Sequence, residues 1–369
     1  MVNVKRGALV QSSGKLSRFL LKLKSRKIFL FIPLFIILVI GSFILIPIIF
    51  QGSSKLSLMI CGDGTFYDTC SLDKPYYCSE GILIESASVC GCPEGFIKSG
   101  DSCTSSHFTD GKEISLDYLV HGETGVINLT LYEGVVDYLS KIPNSINYQD
   151  GEKFFRVDFK LKKINDGVQR QALLPLVVAI QNLADDKDEQ ARIAVSVVQN
   201  IVWNSSGRTI SFGGQSIDYS RYPYEVLFEE SGICGEKSEL LSFLLRELGF
   251  GTALFYYNEE DHEAVGVECP VKNSLDGTGY CFIETSGSAI ISDSSMEYEG
   301  GLVLTSKPDV LLISEGVPLG DNLREYDDAR KLTRINNVSR KRSWIGPFWL
   351  RTINKFKERY GLIDSYNSG

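Results

Sequence analysis

The distribution of nine cysteines constrains the fold of this 369-residue chain more than any other feature. Six of them fall within 43 residues, two more lie 12 residues apart, and one stands alone. Turn-forming sequences surround the cluster, which is typical of a small module held by disulfides. A zinc site is the alternative, but Cys90 and Cys92 are separated by a short spacer for zinc ligands. The disulfide candidates are Cys61, Cys70, Cys78, Cys90, Cys92, Cys103, Cys269 and Cys281.

The odd cysteine count leaves Cys234 without a disulfide partner. In an oxidising compartment such a residue is a reactive thiol or forms an intermolecular bridge. Cys234 is therefore the first residue to examine for chemistry.

Charge is distributed unevenly, although the formal net charge is only −8. Residues 1–27 carry eight basic and no acidic side chains, residues 28–50 carry no charge, and the remainder has a net charge of −16. The uncharged run is long enough to predict a transmembrane helix; a cleaved signal peptide and a buried core helix are the alternatives. The basic flank predicts a cytoplasmic N-terminus. We therefore expect a single-pass protein of the cell membrane, with the chain after residue 50 extracytoplasmic and without a nucleic-acid partner.

Composition and apolar periodicity divide the chain into six predicted segments. These are a cytoplasmic basic segment (1–27), a transmembrane helix (28–50), a cysteine-rich extracytoplasmic module (51–106), a β-rich lead-in subdomain (107–170), an α+β domain (171–315) and a basic, aromatic C-terminal segment (316–369).

Several elements follow from the same patterns. Alternation predicts two strands across residues 114–132 and another across 154–161, whereas residues 205–219 are predicted to form a surface loop. Helical spacing predicts helices from Gln171 and over residues 191–203. A third helix begins at Cys234 and ends at Gly249, with a buried stripe formed by Leu240, Leu241, Leu244, Leu245 and Leu248. Strands are expected at 252–257, from His262, and at 281–284.

The segment Gly232-Ile233-Cys234-Gly235 places a thiol at the start of a helix. Free N–H groups and the helix dipole stabilise an anion there, and the thiolate is the nucleophilic form of cysteine. A flanking glycine lets a substrate backbone approach closely, so Gly235 is a candidate pocket residue. A buried structural cysteine is the alternative interpretation.

Two later residues could complete a site with Cys234. His262 follows 28 residues later, so its strand can return beside the start of the helix and supply an imidazole base. We expect Asp261 and Glu263 to favour the protonated imidazole. Glu284, one hairpin away, could accept a hydrogen bond and fix the tautomer. Taken alone, a histidine at a strand start is more often a half-exposed polar residue.

The positions of four residues in this hairpin restrict how its two strands can pair. In a regular antiparallel register, the pair His262 and Glu284 and the pair Cys269 and Cys281 cannot both be directly opposed. A bulge, or a disulfide beyond the ladder, is therefore required.

Taken together, these motifs resemble the transglutaminase-like cysteine enzymes, most closely their membrane-anchored archaeal members. The resemblance spans roughly residues 171–286 and rests on Arg221-Tyr222-Pro223-Tyr224-Glu225, Gly232-Ile233-Cys234-Gly235-Glu236-Lys237-Ser238, the leucine stripe, Asp261-His262 and Phe282-Ile283-Glu284-Thr285. It implies that residues 171–315 form an extracytoplasmic catalytic domain with a papain-like α+β fold, in which the nucleophile helix packs on an antiparallel sheet. It also implies that Cys234 is the nucleophile, His262 the base and Glu284 the orienting acid.

This chain departs from the family pattern at two positions. The third residue is more usually Asp than Glu, and Glu263 stands where an aromatic residue is frequent. An oxyanion donor is expected from the Cys234 N–H group and from a side chain of the preceding helix. Gln199 and Trp203 are the candidates for that side chain, with helix surface and core as the alternative interpretations.

The resemblance implies a thiol enzyme that acts on amide bonds of a protein or peptide through a thioester, preferably as a peptidase or amidase. Protein-glutamine acyl transfer and a non-catalytic surface module on the same fold are the rival interpretations. No cofactor and no metal are expected. The C-terminal stretch 344–359 is expected either to touch the membrane surface or to form a terminal helix packed on the domain.

Overall fold

The computed structural model describes residues 59–143, 153, 155–212, 215–295, 303–339 and 346–362. Residues 59–369 belong to one compact unit. The predicted boundaries at residues 106, 170 and 315 remain predictions.

The cysteine-rich segment consists of two small hairpins and one helical turn. The hairpins pair β1 with β2 and β3 with β4, both antiparallel. The elements are β1 (Tyr76–Ser79), β2 (Ile82–Glu85), α1 (Ala87–Cys90), β3 (Ile97–Ser99) and β4 (Ser102–Thr104). Three disulfides hold this segment, as predicted: Cys61–Cys78, Cys70–Cys90 and Cys92–Cys103. All six clustered cysteines are thereby oxidised, which excludes the zinc alternative for them.

A long hairpin and four helices follow. The hairpin turns at Gly122, whose φ of +88° suits glycine. The elements are β5 (Gly111–Val120), β6 (Glu123–Tyr132), α2 (Glu133–Ser140), α3 (Arg156–Ile164), α4 (Gly167–Leu183) and α5 (Lys187–Asn200). The side chains of Asp166 and Asp186 cap α4 and α5 by accepting backbone N–H groups.

The helix that begins at Cys234 packs on a four-stranded antiparallel sheet with strand order β13-β12-β11-β14. These elements are α7 (Cys234–Glu247), β11 (Thr252–Tyr257), β12 (His262–Glu268), β13 (Tyr280–Ile283) and β14 (Asp309–Ser314). The predicted leucine stripe of α7 is completely buried, and Gly249 follows the helix with a φ of +93°. The mixed α/β architecture and the placement of α7 on the sheet are therefore as predicted.

The remaining elements flank this core. They are β7 (Val202–Trp203), β8 (Thr209–Phe212), β9 (Gln215–Asp218), α6 (Pro223–Phe228), β10 (Ser231–Gly232), two 3-10 turns (Val271–Asn273 and Leu275–Gly277), α8 (Arg324–Ser339) and α9 (Pro347–Tyr360). Strand β7 pairs in parallel with β10, which leads into Cys234. Helix α9 buries Phe356 against Ala329 and Leu332 of α8, which matches the packed-helix alternative for the C-terminus.

Two predicted elements were wrong. The segment 154–161 was predicted as a strand, but residues 156–164 form the helix α3. Val157, Leu161 and Ile164 lie on its inner face at helical spacing, and this pattern overlaps with a period-two alternation over a short run. Residues 205–219 contain the β8–β9 hairpin instead of an irregular loop.

The fold class predicted from the sequence included a transmembrane helix, and that part is corrected. In the described part of the chain, none of the helices is both long and apolar enough to cross a bilayer. The predicted range 28–50 and the basic segment 1–27 lie outside the described residues. The single-pass anchor, the cell-membrane location and the orientation derived from them are withdrawn.

Candidate active site

Cys234 is the first residue of α7 and has a partly exposed, unpaired thiol. All nine cysteines lie in the described residues, and the eight others form disulfides, including Cys269–Cys281. The N–H groups of the first helical turn have no carbonyl partner within the helix. The helix start therefore presents N–H donors beside the sulfur atom.

The segment that leads into Cys234 is fixed by a buried ion pair. The carboxylate of Glu236 accepts the backbone N–H of Ile233 at 3.0 Å and so caps the helix. It also accepts the N–H of Arg221 at 2.7 Å and that residue's guanidinium at 2.9 Å. The same guanidinium binds the Asn204 carbonyl at 3.1 Å, which joins the end of β7 to the nucleophile segment.

His262 and Glu284 form a buried hydrogen bond, with 3.0 Å between Nε2 and Oε2. Burial of the imidazole favours its neutral form. Hydrogen bonds to Cys234 and Glu284, together with their charges, outweigh burial and raise the pKa of His262 to about 10. Because Nε2 binds Glu284, the second ring nitrogen, Nδ1, is the one available to the thiol. The arrangement favours the imidazolium form of His262.

The cause of this pKa differs from the sequence prediction. Asp261 and Glu263 flank His262 in the chain, but the groups that support its charge are Glu284 and Cys234. The Glu263 carboxylate instead binds Lys160 at 2.9 Å, and the same ammonium binds Glu239 at 2.7 Å.

Both carboxylate oxygens of Glu284 accept hydrogen bonds, and Oε2 is the atom that binds His262. Its Oε1 atom accepts the backbone N–H groups of Thr285 at 2.9 Å and Ser286 at 2.7 Å. The hydroxyl of Thr285 donates to the carbonyl of Cys234 at 3.2 Å and lies 2.9 Å from the Ser238 hydroxyl. The residue after the carboxylate thus contacts the helix that carries the thiol.

The three candidate pocket residues occupy different positions. Gln199 is buried, and its amide donates to the carbonyls of Glu284 at 2.9 Å and Ala289 at 3.2 Å, so both donor hydrogens are used inside the protein. Trp203 is 57% exposed and pairs with Gly232, two residues before the thiol. Gly235 faces the ion pairs that Lys160 forms with Glu239 and Glu263: a Cβ added to Gly235 would lie 3.7 Å from the Lys160 ammonium.

Lys237 is a site residue that the sequence reasoning missed. It is completely buried, three residues after Cys234, and its ammonium donates to the carbonyl of Ile201 at 2.6 Å. A signal was present, because position 237 falls on the same helical stripe as Leu241 and Leu244. A lysine on a buried face requires a polar partner.

We find no candidate metal site: among the described residues, there is no group of three or more His, Cys, Asp or Glu side chains that could hold an ion.

Comparisons with known proteins add little to this geometry. No protein-family model matches the chain, and no curated protein matches it. Among solved structures, calcium-bound LapG from Legionella pneumophila matches with 16% identity and a TM-score of 0.25, covering 48% of this chain and 99% of LapG. A TM-score this low carries no argument by itself, and the case for a function rests on the site.

Proposed function

We propose that this chain is a transglutaminase-like thiol enzyme that acts on amide bonds. Cys234 is the proposed nucleophile, His262 the acid and base, and Glu284 the residue that orients the imidazole. The observation that carries the proposal is the 3.0 Å bond between His262 and Glu284, made by an imidazole that also contacts the one unpaired thiol.

The first half-reaction follows from these groups. The Cys234 thiolate attacks the amide carbonyl carbon, a C–S bond forms, and the carbonyl π electrons move to oxygen. The N–H groups at the start of α7 are placed to stabilise that oxyanion. When the carbonyl re-forms, the C–N bond breaks, and the His262 imidazolium gives its proton to the leaving nitrogen. A thioester and a free amine or ammonia result.

The second half-reaction depends on the acceptor. His262, now neutral, takes a proton from water as the water attacks the thioester, and the Cys234 thiolate leaves. The product is a carboxylic acid. We propose hydrolysis of a protein or peptide as the main reaction, on the family resemblance alone; a primary amine as acceptor would give acyl transfer instead.

Thiol labelling tests the proposed nucleophile. The full-length chain is treated with iodoacetamide at pH 7 without reductant, and the intact mass is followed over time. We expect rapid single labelling at Cys234 that is lost in His262→Ala. The matched control is His121→Ala, because His121 also binds a carboxylate, that of Glu189 at 2.8 Å, but on a different part of the protein. A wild-type thiol no more reactive than glutathione, or one already blocked, contradicts the proposal and favours a non-catalytic module.

Product analysis then separates the two acceptors. A glutamine-containing peptide is incubated with the chain in the presence of a fluorescent primary amine, and cleavage, ammonia release and amine incorporation are measured together. Cleavage or ammonia release without incorporation supports hydrolysis. Incorporation that competes with hydrolysis identifies a transferase, and each activity must disappear in Cys234→Ser.

A further inference from the structure

Lys237 joins three segments of the protein around the proposed site. Its ammonium donates to the carbonyls of Ile201 at 2.6 Å, Gln199 at 3.4 Å and Ser286 at 3.5 Å. The first two carbonyls belong to the C-terminal end of α5, and the third follows Glu284 by two residues. The side chain therefore links the nucleophile helix to the helix end and to the loop that holds the orienting carboxylate.

The local sequence makes room for this side chain. A Cβ added to Gly232 would lie 3.2 Å from Cγ of Lys237, which is closer than most packed carbon contacts. The carbonyls at the end of α5 are unpaired within that helix, and the helix dipole makes them favourable partners for a cation. The site is thus built for an ammonium group.

Among the described residues, no carboxylate lies in direct contact with this ammonium. The ion pairs formed among the described residues do not include Lys237, and the negative groups that act on it are Glu284 and Cys234. Burial lowers the pKa of Lys237 to about 8, and those two groups only partly offset this effect. A charged lysine in this position therefore costs free energy that a neutral residue of the same shape would not cost.

We infer that Lys237 is a positioning residue of the proposed thiol site, whose charge holds the Glu284 loop against α7 and favours the Cys234 thiolate. The inference rests on the proposed function of Cys234, His262 and Glu284. A purely structural role needs only a hydrogen-bond donor to these carbonyls, which a neutral amine also supplies, whereas support of a thiolate requires the ammonium charge.

The first test compares Lys237, which is buried, with Lys187, which is half-buried. Lys237→Met removes the charge and keeps most of the length of the side chain. The matched control is Lys187→Met, because Lys187 also donates to main-chain carbonyls, those of Leu248 at 3.1 Å and Gly62 at 3.3 Å, and burial also lowers its pKa. Lys187 begins α5, at the opposite end of that helix from Gln199.

Iodoacetamide labelling of Cys234 in the full chain is measured from pH 6 to pH 10, with a thermal melt for each variant. We expect Lys237→Met to label at least tenfold more slowly than wild type at pH 7, with its pH profile displaced to higher pH. Lys187→Met should label within about twofold of wild type. Equal losses in both variants, or a wild-type profile in Lys237→Met, overturn the inference.

A second measurement does not require any Lys237 variant to fold. Coupling between two charges is reciprocal, so a thiolate that benefits from the ammonium must also raise the titration midpoint of the lysine. Lysine labelled with ¹³C at Cε allows that midpoint to be followed by NMR in wild type and in Cys234→Ser. We expect the serine variant to lower it by about 0.5 pH unit or more.

An unchanged Lys237 midpoint in Cys234→Ser overturns the inference but leaves the proposed function intact if wild-type Cys234 is highly reactive. A wild-type thiol with the reactivity of glutathione overturns both. The two failures are therefore distinguishable in the same preparation of protein.

Discussion

His262 reaches Glu284 diagonally across the β12–β13 pair and not directly across it. Val265 is paired with Ile283, so Glu284 continues the strand level with Ala264, and His262 lies two residues farther along β12. Diagonal neighbours on adjacent strands are separated by about 7–8 Å at Cα, a gap that only a long side chain closes. This geometry accounts for a glutamate at position 284, because the shorter side chain of aspartate would not span the gap.

Shortening this side chain should therefore impair the site. Glu284→Asp withdraws the carboxylate by one C–C bond, about 1.5 Å, from a hydrogen bond that is now 3.0 Å long. Loss of a charge-assisted bond of about 1.5–3 kcal/mol corresponds to a decrease of about 10- to 100-fold in Cys234 labelling at pH 7. Iodoacetamide kinetics by intact mass provide the measurement.

Glu284→Gln is the matched control for reach. It keeps the length of the side chain and removes its charge. We therefore expect this variant to fold with the Glu284 loop in place, but its Cys234 labelling should require a higher pH than in wild type. Wild-type kinetics in Glu284→Asp would show that the diagonal bond does not support the thiol.

The protonation state of His262 gives a pH-dependent prediction. Its pKa is raised on folding to about 10, so the imidazolium should persist through neutral pH. A histidine raised in this way contributes stability that is fully present below about 6.5 and is lost as pH rises through about 10. With only three histidines in the chain, ¹⁵N NMR of the imidazole rings can follow the titration.

Because Glu284→Gln removes the carboxylate charge, we expect the titration midpoint of His262 to fall in that variant. His107 provides an internal reference because it lies outside the site, with its ring centroid 4.5 Å from that of Tyr138 and the two rings tilted by 40°. A His262 resonance that titrates near pH 6.5 in wild type would contradict the thiolate–imidazolium pair.

The sequence predicted the helix and the hairpin of the site because their signals are local. The five leucines of α7 repeat at helical spacing, and Gly249 marks the end. The order of Cys234, His262 and Glu284 along alternating elements was enough to place them on neighbouring strands and a helix start. Of the two alternatives predicted for the hairpin, the structure has the second: the β12–β13 ladder is regular, and Cys269, just beyond it, bridges Cys281, whose ladder partner is Val267.

The parts that the sequence did not predict depend on contacts between distant segments. Helix α3 presents Lys160 to Glu239 and Glu263, and nothing within residues 154–161 encodes that pairing. Gln199 was considered as an oxyanion donor because it precedes the site, yet its amide binds carbonyls some 85 and 90 residues away. Main-chain carbonyls are present at every residue, so no spacing in the sequence identifies which of them a buried amide or ammonium will bind.

The binding of Gln199 to the Glu284 carbonyl leads to a third prediction. Gln199→Glu replaces the donor amide with an acceptor that faces two carbonyl oxygens, which should lower the free energy of unfolding by about 1–3 kcal/mol. It should also slow Cys234 labelling, because the loop that carries Glu284 loses its anchor. Urea unfolding and iodoacetamide kinetics measure the two effects.

Gln190→Glu is the control for this substitution. Gln190 lies on the same helix and its amide also donates to two carbonyls, those of Gly62 at 2.8 Å and Ala184 at 2.7 Å. We expect a similar loss of stability and an unchanged labelling rate. If both variants label at the wild-type rate, Gln199 has no role in positioning Glu284.

The Cys269–Cys281 disulfide leads to the last prediction, since it closes the hairpin that carries His262 and Glu284. Replacing both cysteines by serine removes a cross-link between residues 12 apart and should lower the free energy of unfolding by about 2–3 kcal/mol. The double variant lacking Cys92–Cys103, whose partners are 11 apart in the cysteine-rich segment, should lose a similar amount. Only the hairpin variant should label more slowly at Cys234, because the disulfide anchors β13, the strand that leads directly into Glu284. Equal labelling in both double variants would mean that hydrogen bonds alone position the carboxylate.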